Sequence, residues 1–130
     1  MKGYVDNIEK ATLENMDYRR VLYTGKHSQL VVISIKPRDE IGNEVHEDID
    51  QFIRIEKGRA KLVLNNEDEQ EVGDDFGIVI PSGTYHNIIN IGEEDLKLYS
   101  IYSPPEHKEG TIHSDKENAE EEHFDGETTE

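Results

Sequence analysis

Glu44 and His46 stand two residues apart, and in an extended segment side chains at that spacing leave the same face. Gln51, Ile53 and Ile55 share a face of the next extended run, and the short 47–50 connection allows Gln51 to return beside His46. Farther along, His86, Ile88 and Asn90 share one face of a third run, entered through a Pro81-Ser82-Gly83 turn. If these runs line one cavity, Glu44, His46, Gln51 and His86 converge as four nitrogen or oxygen donors. A buried carboxylate is costly unless paired, and no basic residue falls on the expected inward face near Glu44, so a dication is its natural partner. Two imidazoles, a carboxylate oxygen and an amide oxygen suit one divalent transition metal (zinc, iron, manganese or nickel) with positions left for water or substrate. The chain has no Cys, so no thiolate takes part.

Each of these residues also has a plainer use. His46 reads equally as a surface histidine near Glu44 and Asp48, and His86 as a satisfied interior one. Gln51 is a poor ligand that serves as well by hydrogen-bonding a ligand or water. Asp48 and Asp50 read as solvated loop acids, Asn90 as a turn anchor, and Tyr18, Tyr85, Tyr99 and Tyr102 as wall or interface aromatics. His27, His107, His113 and His123 lack ligand-like spacing and carry no expected role.

The elements that must position these residues are strands. Runs rich in Val, Ile, Phe and Tyr occupy 20–23, 29–36, 52–56, 60–64, 76–80, 85–91 and 96–102, separated by Gly, Asn and Pro turns. No long amphipathic helix precedes the C-terminal tail. Many short strands at close spacing predict an all-β domain, a sandwich, jelly roll or small barrel with few exposed edges. Pro104-Pro105 ends the last strand.

At this point the chain resembles the cupin superfamily, in particular small single-domain cupins. Pro81, Gly83, His86 and Asn90 match the second cupin motif from its proline onward, although neither Gly73 nor Gly77 sits where its first glycine belongs. The first motif, anchored at Gly58, places its Glu position at Gln51 and its His-x-His pair at Glu44 and His46; a pair at His46 and Asp48 breaks the spacing. The resemblance covers residues 29–102 and implies a cupin-type double-stranded β-helix, a jelly-roll barrel over 1–105, with the metal held by Glu44, His46, Gln51 and His86. The ending through Gly110-Thr111-Ile112-His113 is similar to small bacterial cupins labelled mannose-6-phosphate isomerase-like. Phosphomannose isomerases of type I also resemble this site, with Gln and Glu exchanged.

Composition sets the limits on function. The 130 residues, 33% hydrophobic, suffice for one modest core. A net charge of -16 argues against nucleic acid, and no run of 18 apolar residues suggests a membrane span, so a cytoplasmic protein is expected. Residues 106–130 hold ten acids against Lys108 and Lys116, a net of -8 and half the total, which marks a separate acidic tail. That tail is expected to be a solvated, dispensable extension with a short helix near 118–123, or else a segment closing over the site.

Three function classes follow: an isomerase or epimerase acting on a small sugar-like substrate, a metal-dependent dioxygenase or other oxidoreductase, and a non-enzymatic module binding a small-molecule ligand. A phosphorylated substrate needs an inward basic residue, and among Lys36, Arg38, Arg54 and Arg59 none is well placed, Arg54 pointing outward by alternation. Val32, Phe52, Ile89 and Leu98, read as outward or surplus to one interior, predict a symmetric homodimer.

Overall fold

The computed structural model describes residues 2–130. A short helix, α1 (Ile8–Glu14), precedes nine strands: β1 (Arg19–Thr24), β2 (Gln29–Ile35), β3 (Asp50–Lys57), β4 (Arg59–Leu64), β5 (Asp68–Gly73), β6 (Gly77–Ile80), β7 (His86–Asn90), β8 (Leu96–Ser103) and β9 (Ile112–His113). Six strands form one sheet in the order β6-β3-β8-β2-β1-β9, and three form a second in the order β5-β4-β7. Every ladder within them is antiparallel.

The expected closed barrel is not what forms. The two sheets pack face to face without a ladder joining them, so the chain is an open two-sheet β-structure and not a double-stranded β-helix closed into a jelly-roll barrel. The gap beside β7 has a local cause in the 36–49 connection. Pro37 offers no N–H, Arg38 and Gly42 take positive φ values of 67° and 106°, and the segment touches β7 only through single bridges, Glu40 to Ile89 and Glu44 to His86. Alternation along a strand sets which faces point inward but carries no information on whether edges join.

Between the sheets lies an apolar floor of Val31, Ile33, Ile35, Ile53, Ile55, Leu62, Ile78, Ile80, Ile88, Leu96 and Leu98. Each such buried side chain contributes about 1.5–3 kcal/mol. The strand patterns explain it: Gln51, Ile53 and Ile55 are the buried positions of β3, and His86, Ile88 and Asn90 those of β7. At one end of the floor the buried residues turn polar, with Gln29, Gln51, His86, Ser100 and His107 all under 9% exposed. Gln29 and Gln51 flank Tyr102 across the β2-β8-β3 ladders, which puts all three on one row.

Two of the residues expected to demand a partner are satisfied within the monomer. Leu98 faces inward and is fully buried, and Val32 is 1% exposed on the outer face of the sheet, where α1 packs on β2, β3 and β8. The acidic tail is laid along the body: β9 pairs with β1, and Ala119 packs against the core. Residues 118–123 run as a turn and extended backbone where a short helix was expected.

Candidate functional site

Glu44 sits directly across from His86, with Glu44 N–H donating to His86 O at 2.9 Å and His86 N–H to Glu44 O at 2.8 Å. His46 is held over the same place by Gly83 N–H donating to its carbonyl at 2.8 Å. The imidazoles of His46 and His86 lie 5.3 Å apart between ring centres, and His46 Nε2 stands 3.5 Å from Glu44 Oε2. Gln51 comes from β3 opposite Tyr102, its Nε2 donating to Ser100 Oγ at 2.9 Å. Tyr102 packs edge-on against His46 at 5.9 Å, so the residues expected to converge occupy one end of the space between the sheets.

The tail adds residues that spacing did not reveal. Glu106 is 9% exposed and bridges two histidines, His46 Nδ1 at 3.5 Å from Oε2 and His123 Nδ1 at 3.0 Å from Oε1. His107 is 1% exposed and packs edge-on to Tyr102 at 5.0 Å. Gln29 clamps this pair in place: its Nε2 donates to His107 O at 2.8 Å, and its Oε1 accepts from Glu106 N–H at 3.2 Å and His107 N–H at 3.0 Å. A buried polar residue such as Gln29 inside a β-branched run is the one local signal that something must satisfy it. The remaining expectations separate cleanly. Asn90 anchors a turn through Ile35 O, Glu94 O and Gly92 N–H, Asp50 accepts from Ser82 N–H, and Asp48 is exposed.

Burial dominates the electrostatics. It pushes the Glu44 carboxyl up to about 7, with the Glu121 charge adding to the effect. Burial also pulls His46 down to about 4, helped by His86, and lowers His86 itself. His107 is drawn down to about 2, first by burial and then by the Arg19 charge. All three imidazoles are therefore neutral near pH 7. His86 Nδ1 lies 3.0 Å from Thr84 O, a carbonyl that only accepts, which assigns the proton to Nδ1 and leaves Nε2 as a lone-pair donor. Gln51 Oε1 and both ring nitrogens of His107 are buried without a hydrogen-bond partner.

The donor types thus suit a divalent cation, with His46 and His86 5.3 Å apart between ring centres. Among the described residues no three His, Cys, Asp or Glu side chains are grouped so as to hold a metal ion. The arrangement is a buried polar cluster at one end of the inter-sheet space, which holds acceptors, lone pairs and a weakly acidic carboxyl. Among the described residues, too, no helix is long and apolar enough to cross a membrane.

Residues 31–102, which carry the two sheets and this polar cluster, match the Cupin_2 family, a cupin domain. The chain belongs to the cupin superfamily. It is 45% identical over 123 residues to the uncharacterised protein YrkC of Bacillus subtilis (strain 168), which covers 91% of this chain and 66% of that protein. It is 51% identical over 112 residues to an uncharacterised protein of Acanthamoeba polyphaga mimivirus, covering 84% of this chain and 70% of the other. The chain thus spans just under two thirds of the first relative's length. Among solved structures, BH2720 from Bacillus halodurans superposes with a TM-score of 0.85 at 45% identity, over 87% of this chain and 89% of its own. This similarity supports the cupin domain without tying the chain to mannose-6-phosphate isomerase in particular.

Proposed function

We propose that this cupin binds a small hydrogen-bonding molecule in the polar chamber formed by Glu44, His46, Gln51, His86, Glu106 and His107. The observation that carries the reading is the set of buried atoms without partners, Gln51 Oε1 and the two His107 nitrogens. Leaving such a group unsatisfied costs about 1–3 kcal/mol, so the site gains from an occupant that offers both donors and acceptors. The second reading, a divalent transition metal with oxidoreductase chemistry, is favoured by the Nε2 lone pair of His86 and the neutral His46. It requires a third donor, Glu44 or the Gln51 amide oxygen, to complete the shell beside the two imidazoles.

Native mass spectrometry with elemental analysis, on protein purified without chelator, separates the two. An organic adduct that leaves on denaturation and is lost in His46→Ala or His86→Ala supports ligand binding. One equivalent of metal without organic adduct supports the second reading, and neither adduct nor metal sinks both. A homodimer through the outer face of β3 and β6, where Val79 is 70% exposed, belongs to the same proposal. Light scattering that returned the 14.9 kDa monomer mass would reject it.

A further inference from the structure

Among the described residues Arg19 is the one arginine that forms no ion pair with a carboxylate. Arg20, Arg38, Arg54 and Arg59 each lie against a carboxylate: Asp17, Glu93, Glu56 with Asp75, and Glu71. Arg19, at an inward position of β1, is 5% exposed, and among the described residues no carboxylate forms an ion pair with it. Its Nη1 donates to His113 Nδ1 at 3.2 Å, its guanidinium lies 5.1 Å over the Tyr18 ring, and its Nε is buried with no partner. A buried, unpaired guanidinium is an expensive group to retain.

The same side chain lines a cleft of about 200 Å³ together with Ile41, Glu44, Lys116 and Glu121. Lys116 is already engaged by Glu40 O and by Asp39 Oδ1, which leaves Arg19 as the cation available to an incoming group. The cleft reaches Glu44, and Glu44 is the edge of the polar chamber described above. Arg19 also acts electrostatically on Glu44, His46, Glu106, His107 and Tyr102, so it stands within the field of the whole cluster.

We propose that Arg19 is the anion-recognising end of the ligand site, and that the ligand is a small organic carboxylate seated in the cleft between Arg19 and Glu44. This rests on the ligand-binding reading of the chamber. The fork of a guanidinium matches the two oxygens of a carboxylate. A dianionic phosphate is disfavoured by the two acids, Glu44 and Glu121, that share the cleft. The volume lies below the roughly 300 Å³ at which pockets for drug-sized ligands begin, which restricts the acid to a few carbons.

The test is isothermal titration with matched pairs, L-lactate against L-lactamide and glycerate against glyceramide, on the full chain. The expected result is an acid preferred over its amide by about tenfold or more. Arg19→Gln abolishes that preference, Arg19→Lys keeps part of it, and the surface control Arg20→Gln keeps all of it. The acid-to-amide ratio is the readout, because a purely structural role for Arg19 leaves it unchanged. If Arg19→Gln does not fold, the wild-type ratio and its fall in Arg19→Lys decide the matter. Acid and amide bound equally well, or an unchanged ratio in a folded Arg19 variant, overturns the role of Arg19 and leaves ligand binding standing. No binding by either series, with a neutral adduct in the chamber by native mass spectrometry, overturns the carboxylate alone. No binding and no adduct overturns both.

Discussion

The two walls of the chamber are held by different kinds of bond. Gln51 and His86 stand on strands whose neighbouring inward positions, Ile53, Ile55 and Ile88, are fully buried, so their placement is shared by the whole core. Glu106 and His107 stand on a segment with no ladder of its own, held by the Gln29 side chain, the bridge between His107 and His123, the contacts of Glu106 with His46 and His123, and the Tyr102 ring. A wall built on apolar packing loses stability only when the fold does, whereas a wall built on a few hydrogen bonds opens at a cost set by those bonds. The chamber therefore has one rigid side and one releasable side.

Removing the releasable side altogether should have the largest effect. A chain ending at Pro105 is expected to fold, because the core from β2 to β8 is intact, but to lose about 3 kcal/mol or more as the Gln29 bonds and the cover over Tyr102 disappear. Thermal unfolding should stay cooperative with Tm lowered by roughly 10 °C. An unchanged Tm would show that the tail wall contributes nothing.

Gln29→Ala is the sharper version, since it leaves the tail in place and removes only its clamp. It strands Glu106 N–H, His107 N–H, His107 O and Thr24 Oγ1, and a loss of about 2–3 kcal/mol is expected. Limited proteolysis should then cut within 106–130 while the body stays protected. Simultaneous digestion of both parts would mean that the two walls open together.

Acid sensitivity separates the walls by a smaller effect. His107 is lowered to about 2 from its ordinary 6.5, so below pH 6.5 the unfolded chain takes up the proton first, and stability falls as pH falls toward the folded value. His46 acts in the same direction down to about 4. Glu44, raised to about 7 from 4.5, acts oppositely, since the folded form holds its proton longer and acid favours it. His107→Gln removes one acid-side loss and leaves the other two groups alone. Its drop in Tm from pH 7 to pH 5 should be smaller than that of the wild type, and an equal drop would contradict the burial of a neutral imidazole there.

The smallest effect belongs to Asp48, an exposed acid close in sequence to His46. Asp48→Ala should change stability by less than about 0.5 kcal/mol and leave ligand or metal content untouched. Loss of either would move the site toward the 47–50 loop.

The rigid wall is also the legible one, for a physical reason. Alternation within β3 and β7 is a local code, so Gln51 beside Ile53 and His86 beside Ile88 can be placed on their inward faces from neighbours two residues away. The releasable wall is written in contacts across long separations: Gln29 meets His107 78 residues away, and Arg19 meets His113 94 residues away. An acidic composition hides such contacts, and it hid β5 as well, whose first four residues face solvent as acids and a glutamine. Arg19 escaped notice because Arg19-Arg20 reads as a charged strand start, while only the sheet decides that the first of the two turns inward. Whether the sheets close depends on the backbone of residues 37–42, where positive φ values break a pairing that side-chain pattern alone would continue.

Density in the chamber tests the account most directly. In a high-resolution crystal structure of protein purified without chelator, an organic molecule or a linked water cluster should contact Gln51 Oε1 and at least one ring nitrogen of His107, with Glu44 and His86 at its edge. A dry chamber, with those atoms instead bonded to other side chains of the protein, would contradict the claim that this cupin keeps its polar end for a ligand.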